Sequence, residues 1–417
     1  MAMLIRFWVQ GFRCFDKKTE IDFTCKRNYV PGKECLRQDL LDKTIVNSCN
    51  SSGKTALGYA LSDIVSTVGG YTKDIGQRNL RSFLNKDAPT NRATFHYEFS
   101  KGGSIIYYEY SKGSPDNVIS ESLKVDRHTV FEYDLAKGSE LFLDPGIEFD
   151  IPIPDGRKSL ILSVSESMEF GEGSVAKLVS DFAKQSAYCL TALMQDTHIG
   201  KDDCFEDPEG YIVQNGLVEQ LQRFLEEVCS ENMDLVADND RIMIRKEDGT
   251  IPFKESVSRE TLVACGLYAW MERCGDREAL MYFDDFDDVL DQETAEKAIK
   301  TIVSQTSTQC VFATHNIGLE TNETLRPECC FQMSEGGLKP IADEDSKRER
   351  LTDACMTIDQ RGSSSLTTCG ITPCRGPRSS RSRFQKPLSS PRRHRRPPHG
   401  RRPDGHNIPR SRSGLRR

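Results

Sequence analysis

A nearly complete phosphate-binding loop is the feature that most constrains this chain. Residues 47–55 read Asn-Ser-Cys-Asn-Ser-Ser-Gly-Lys-Thr, which closely follows the pattern G-x-x-x-x-G-K-[ST]. Only the first glycine is missing, and Ser48 stands in its place. In such a loop, backbone N–H groups hold phosphate oxygens, the lysine reaches the β- and γ-phosphates, and the final hydroxyl helps to hold Mg²⁺. The predicted phosphate-binding residues are Ser48, Asn50, Ser51, Ser52, Gly53, Lys54 and Thr55.

The flanks of this loop predict an α/β fold. Residues 42–46 fit the end of a strand, and residues 53–68 have the apolar spacing of a helix with one buried side.

A chance Gly-Lys-Thr in an ordinary loop is the alternative interpretation of the motif. If the backbone at Ser48 needed a positive φ, serine would cost roughly 1 kcal/mol relative to glycine. We therefore expect nucleotide binding to tolerate the missing glycine.

Two later strands place polar side chains at their carboxyl ends. Residues 279–285 read Ala-Leu-Met-Tyr-Phe-Asp-Asp, and residues 310–314 form a second apolar strand that ends at His315, with a helix predicted at 292–304 between them. A carboxylate at the end of a buried strand beside a phosphate loop holds Mg²⁺, which predicts Asp284 as a metal ligand. Asp285 then stands where a base orients or deprotonates water, and His315 where it can contact a γ-phosphate. An acidic solvated loop and a structural histidine are the alternatives for each motif alone, but their order along the chain predicts a nucleotide site.

These motifs resemble a known family. The chain is similar to the ABC-type ATPase heads of the RecF, SMC and OLD group, and particularly to stand-alone bacterial ATP-binding proteins associated with phage defence. The run Asp-Asp-Phe-Asp-Asp-Val-Leu-Asp at 284–291, the Ala-Thr-His-Asn at 313–316 and the opening hairpin at 3–23 carry the resemblance, which covers roughly residues 3–345.

The resemblance implies a role for each residue. Asp284 corresponds to the Walker B aspartate, Asp285 to the catalytic carboxylate, and His315 to the switch histidine. Asp291 corresponds to the loop aspartate that contacts a partner head. The signature segment corresponds to residues 256–260, in which Ser256 would contact the nucleotide of the partner head.

Three departures from the family pattern bear on hydrolysis. Ser48 replaces the first glycine of the loop, Asp285 stands where the family generally has glutamate, and Ser258 replaces the glycine of the signature. Because a shift of about 1 Å in a catalytic group can cost roughly 10²-fold in rate, the shorter Asp285 side chain leaves the hydrolysis rate open. An ATP-gated scaffold with negligible hydrolysis is therefore the alternative to an active ATPase.

The region between the loop and the signature predicts an antiparallel β subdomain with inserted helices. Residues 93–99 and 104–110 read as a hairpin, and strands at 118–125 and 129–133 extend it. Residues 170–193 and 217–228 read as helices, and residues 241–253 as a second hairpin. The predicted fold is thus a P-loop NTPase with a central mixed sheet, in which residues 93–228 form an insertion into an ATPase head at 1–345.

Charge separates the last part of the chain from the rest. Residues 351–417 contain fifteen arginines and one lysine against three aspartates, a net charge of +13, so that residues 1–350 carry −20 of the total of −7. The tail has almost no large apolar residues, which predicts disorder. Either it binds nucleic acid through salt-sensitive contacts, or the abrupt change in composition marks a frameshifted terminus.

The remaining expectations concern cofactors, partners and location. We expect ATP and Mg²⁺ as cofactors, a homodimer or higher homo-oligomer, and a separate effector chain such as a nuclease, as the resemblance implies. A RecF-like DNA repair ATPase is a further alternative, although an acidic body is not typical of a DNA-binding surface. No apolar run approaches the ~20 residues of a membrane helix, and the fifteen cysteines lack metal-binding spacing, so we expect a cytoplasmic protein.

Overall fold

The computed structural model describes residues 2–26, 33–48, 53–71, 83–144, 156–191, 198–200, 206–275, 277–320, 325–334 and 337–341. All of them belong to one compact unit, Met1–Thr357. The predictions for Asn50, Ser51, Ser52 and the tail at 351–417 lie outside the described residues.

The described residues form nineteen strands and nine α-helices, numbered here in chain order. The strands are β1 (Met3–Gln10), β2 (Thr19–Asp22), β3 (Leu36–Arg37), β4 (Leu40–Leu41), β5 (Lys43–Asn47), β6 (Ala93–Lys101), β7 (Ser104–Ser114), β8 (Asn117–Val125), β9 (His128–Asp134), β10 (Ser139–Leu143), β11 (Ala187–Leu190), β12 (His198–Ile199), β13 (Leu235–Asp238), β14 (Arg241–Lys246), β15 (Gly249–Pro252), β16 (Leu280–Asp284), β17 (Gln309–Thr314), β18 (Cys330–Ser334) and β19 (Gly337–Pro340). The helices are α1 (Lys54–Leu61), α2 (Asp63–Thr67), α3 (Leu160–Ser167), α4 (Val175–Gln185), α5 (Pro208–Gln214), α6 (Val218–Cys229), α7 (Phe253–Ser256), α8 (Arg259–Cys274) and α9 (Gln292–Gln305).

The central sheet is mixed, with a parallel core. Its strand order is β12-β11-β16-β17-β5-β18-β19. The five strands from β11 to β18 are parallel to their neighbours, and β12 and β19 pair antiparallel at the two edges. Every residue of β5, β16 and β17 is buried, as expected for parallel strands that are covered on both faces. The carboxyl ends of β5, β16 and β17 therefore lie side by side at one edge of the sheet.

The second large sheet is antiparallel and has the order β10-β9-β8-β7-β6-β1-β2. Buried and half-buried residues alternate along β6, which is the pattern of a sheet with one face against a core. On the buried face, Phe99 contacts Phe182 of α4 edge-to-face at 4.8 Å, and the Tyr97 hydroxyl donates to the Ala60 carbonyl of α1 at 3.1 Å. Helices α1 and α4 thus lie against this face.

The predicted hairpin at 93–110 is present as β6 and β7, and its sheet includes the N-terminal strand, because β6 pairs with β1. The predicted helix at 170–193 is wrong in its last part. Helix α4 ends at Gln185, and residues Ala187–Leu190 form β11 of the central sheet. A short apolar run reads equally as a buried strand or as the end of a helix, since periodicity alone does not separate the two.

Candidate nucleotide-binding site

The predicted polar residues meet at the carboxyl edge of the central sheet. Thr314 of β17 pairs with Asn47 of β5, and Phe283 of β16 pairs with Phe312 of β17. The residues that follow these strands therefore project from the same edge. Ligands of open α/β sheets bind at this edge.

Lys54, the first residue of α1, lies at the centre of this cluster. Its side chain is buried, and its ammonium lies 2.9 Å from the Ser48 hydroxyl oxygen and 3.2 Å from the Ser48 carbonyl oxygen. The same ammonium lies 2.9 and 3.0 Å from the two ring nitrogens of His315. The Lys54 ammonium thus donates toward Ser48 and the His315 ring at one point beside the phosphate loop.

The turn into α1 requires glycine. Gly53 has φ +108°, and a Cβ at this position would lie 3.0 Å from the Cys14 sulfur. Ser48, in contrast, is not among the described non-glycine residues with positive φ. The backbone strain considered for serine at this position therefore does not arise, and its hydroxyl accepts a hydrogen bond from Lys54.

Asp284 ends β16 and is fully buried. The Tyr188 hydroxyl donates to its Oδ2 at 2.9 Å, whereas its Oδ1 is buried and accepts no hydrogen bond of ordinary geometry within the described residues. Burial raises the pKa of Asp284, as does the nearby Asp285 charge, while Thr55, Tyr188 and Lys54 act in the opposite direction. Within the described ranges, no three His, Cys, Asp or Glu side chains form a metal cluster. A buried carboxylate oxygen beside the Thr55 hydroxyl nevertheless fits Mg²⁺, which takes one or two protein oxygens together with phosphate and water.

Asp285 and His315 face each other at the rim of the site. The His315 Nε2 lies 3.3 Å from Asp285 Oδ1, and both side chains are partly exposed. Asp285 has φ +45°, a left-handed backbone that is uncommon outside glycine. The following turn is held in place because the Phe286 N–H donates to the Ala313 carbonyl at 2.9 Å. The structure thus brings the two predicted catalytic residues together.

The other two predicted contacts lie on helix ends. Asp291 caps α9, where its carboxylate accepts from the Thr294 N–H at 2.8 Å, a bond that lowers its pKa. Ser256 is the exposed last residue of α7, and Ser258 is the residue that caps α8. Among the described residues, no hydrogen bond or ion pair joins Ser256 or Asp291 to Lys54 or Asp284. Both side chains are exposed at the protein surface.

Tyr188 and Tyr282 are site residues that the sequence reasoning missed. Tyr188 lies in the segment predicted as helix, and Tyr282 reads as one more apolar strand residue. Their hydroxyls contact Asp284 and the Lys54 carbonyl, respectively. The sequence carries no local signal for these contacts, because they depend on which strands become neighbours.

Comparison with known proteins finds matches only among solved structures. No protein-family model and no curated protein matches the chain. The SMC head domain from Thermotoga maritima is 15% identical, with 81% of this chain and 98% of that chain covered and a TM-score of 0.40. An SMC head bound to the C-winged helix domain of ScpA is 13% identical, with 81% and 97% covered and a TM-score of 0.43. An SMC head with an extended coiled coil, bound to the C-terminal domain of ScpA derived from Pyrococcus furiosus, is 12% identical, with 84% and 100% covered and a TM-score of 0.44.

Structural similarity this low does not identify the activity of the chain. The fold is α/β with mixed sheets. Within the described residues, no helix has both the length and the apolar character needed to cross a membrane.

Proposed function

We propose that this chain binds ATP with Mg²⁺ and hydrolyses it, and that the nucleotide state acts as a conformational switch. The observation that carries the proposal is the convergence of Lys54, His315 and Asp284 at the carboxyl edge of three adjacent parallel strands, where the buried Asp284 Oδ1 accepts no hydrogen bond of ordinary geometry from the described residues. A positive ammonium, an imidazole and a carboxylate oxygen that can bind a metal suit a triphosphate better than an uncharged ligand.

Each residue contributes a distinct interaction to binding. Lys54 donates to the β- and γ-phosphate oxygens, and the N–H groups at the start of α1 face the same oxygens. Asp284 and the Thr55 hydroxyl hold Mg²⁺, which when bound neutralises negative charge on the phosphate oxygens. Burial raises the pKa of Asp284 and so disfavours its charged form. A bound cation would act in the opposite direction and favour the carboxylate.

Hydrolysis depends on the rim pair. Water attacks the γ-phosphorus, the bond from phosphorus to the bridging oxygen breaks, and ADP and phosphate leave. Asp285 orients this water and accepts its proton, and His315 donates a hydrogen bond to the γ-phosphate. The left-handed backbone of Asp285 supports this role, because strained residues held by their surroundings are common at active sites.

We further propose a head-to-tail dimer with two nucleotides between the heads. In this arrangement, Ser256 at the end of α7, Ser258 at the start of α8, and Asp291 face the nucleotide of the partner head. The Asp291 N–H donates to Glu260 of α8 at 3.2 Å, so these two surface elements are linked. The family resemblance supports a separate effector chain, with a nuclease as its class, and phage defence as the setting.

Steady-state ATPase assays of the full chain test the proposal. Lys54→Ala removes a charge-assisted contact and lowers ATP affinity about 100-fold, equivalent to about 2.7 kcal/mol. Lys246→Ala, which removes an exposed lysine on β14, serves as the matched control and retains the wild-type rate.

The outcomes separate the two candidate functions. A wild-type rate above that of Lys54→Ala supports the ATPase. A wild-type rate equal to that of Lys54→Ala, with ATP still bound by the wild type, contradicts hydrolysis and supports the ATP-gated scaffold. Absence of ATP binding by the wild type contradicts both.

A further inference from the structure

Two buried tyrosines link the phosphate-loop helix to the strand-end aspartate. Tyr188 of β11 and Tyr282 of β16 are direct partners in the parallel register, and their rings stack at 5.9 Å with an angle of 16°. We call them the tyrosine pair. Because side chains two residues apart in a strand share a face, Tyr282 and Asp284 lie on the same side of β16.

A glycine in α1 makes room for the tyrosine pair. A Cβ at Gly58 would lie 2.5 Å from the Tyr282 ring and 2.9 Å from the Tyr188 ring, closer than real Cβ contacts. Glycine inside a helix costs roughly 0.5–1 kcal/mol relative to alanine. The close approach of the two rings is the structural reason for glycine at this position.

The two hydroxyls reach different parts of the site. Tyr282 donates to the Lys54 carbonyl at 2.7 Å, which fixes the first turn of α1. Tyr188 donates to Asp284 Oδ2 at 2.9 Å. Both tyrosines are buried, so water does not compete for these bonds.

The Tyr188 hydroxyl is itself fixed from the other side. Its ring lies 4.8 Å from that of Tyr59 on α1, and a hydrogen bond links the two side chains. The Arg13 guanidinium lies 4.5 Å from the centre of the Tyr59 ring.

Among the described residues, Asp284 has a hydrogen-bond partner of ordinary geometry on Oδ2 and none on Oδ1. Because Tyr188 holds Oδ2, the carboxylate has little freedom to rotate, and Oδ1 is the oxygen that faces a cation. We propose that Tyr188 is a positioning residue that orients Asp284 for Mg²⁺, an inference that rests on the proposed function. Second-shell groups that hold a ligating carboxylate typically change metal affinity 10- to 100-fold when removed.

Binding of Mn²⁺, followed by electron paramagnetic resonance, tests this inference without using activity. The full chain is titrated with Mn²⁺ in the presence of a non-hydrolysable ATP analogue, and analogue binding is measured separately in EDTA. We expect Tyr188→Phe to weaken Mn²⁺ binding about tenfold and to change analogue affinity in EDTA less than about twofold. Tyr108→Phe is the control, because it removes an equally buried hydroxyl that is bonded to Glu121 on the antiparallel sheet.

The possible outcomes distinguish failure of the proposed role of Tyr188 from failure of the proposed nucleotide binding. Equal Mn²⁺ affinity in the wild type and Tyr188→Phe, with the analogue bound by both, overturns the role of Tyr188 and leaves the proposed function standing. Failure of the wild type to bind the analogue overturns both. If Tyr188→Phe does not fold, the milder Tyr59→Phe decides, with a loss of about two- to threefold expected and no change in Mn²⁺ affinity as the contradicting result.

Discussion

Two buried carboxylates, one in each large sheet, have opposite surroundings. Glu121 of the antiparallel sheet accepts from the hydroxyls of Tyr108 and Tyr133, each at 3.0 Å, and from the Leu160 N–H at 2.6 Å. Both of its oxygens are therefore in use. Asp284 of the central sheet is equally buried and has only Oδ2 in use within the described residues.

The difference separates a structural carboxylate from one that we propose binds a cation. Glu121 binds the start of α3 to the antiparallel sheet, and nothing more is needed to account for it. Leaving a buried polar group without a partner costs about 1–3 kcal/mol, and we propose that binding of a cation offsets this cost at Asp284. Asp63, the first residue of α2, is also a structural carboxylate, because Lys112, Tyr110 and Thr67 all donate to it.

The largest expected effect is a pH dependence that Glu121 adds to stability. Burial raises its pKa from 4.5 to about 7, so the folded protein holds a proton that the unfolded chain releases. This stabilisation is fully present below about pH 4.5 and is lost as the pH rises through about 7, a change of about 3 kcal/mol. We expect chemical denaturation of the wild type to show this loss relative to Glu121→Gln, and a constant difference between the two proteins from about pH 4.5 to 8 would contradict it.

The second prediction compares loss of charge at the two kinds of site. Asp63→Asn leaves the buried Lys112 ammonium without its counter-charge and lowers the free energy of unfolding by about 3 kcal/mol. Asp284→Asn removes a poorly compensated buried charge and raises the free energy of unfolding by about 1 kcal/mol near pH 8. Urea denaturation of the nucleotide-free proteins measures both, and destabilisation of similar size by the two substitutions would break the comparison.

The smallest effect concerns Ser48. Because Ser48 does not adopt a positive φ, restoring glycine relieves no left-handed strain and removes one contact to Lys54. We expect Ser48→Gly to change ATP affinity by less than about threefold, under about 1 kcal/mol. A tenfold gain in affinity, measured by calorimetry, would show that serine does impair the loop.

The sequence predicted which polar residues lie together, because these residues are at or just after strand ends or follow the loop glycine. Lys54 follows Gly53, Asp284 ends a buried strand, and Asp285 and His315 come directly after buried strands; parallel strands bring such positions to one edge. The antiparallel hairpin at 93–110 was equally accessible, since alternating residues on both sides of a Gly-Gly turn define it.

The remaining features depend on tertiary contacts that a linear pattern does not contain. Tyr188 contacts Asp284 only because β11 lies beside β16. Since these residues were predicted as part of a helix, the pairing of the two strands was not predicted. The left-handed backbone of Asp285 and the capping of α8 by Ser258 follow from local packing rather than from the motif that contains them. Short apolar segments and turn conformations are the elements for which sequence pattern is weakest.

The central claim is that Asp284 keeps an oxygen for Mg²⁺ beside a nucleotide, and isothermal titration of ATP tests it most directly. The wild-type full chain and Asp284→Asn are each titrated with Mg²⁺ and with EDTA. We predict that Mg²⁺ strengthens ATP binding by the wild type at least about tenfold and leaves Asp284→Asn at the affinity measured in EDTA. Equal strengthening by Mg²⁺ in both proteins would contradict the claim.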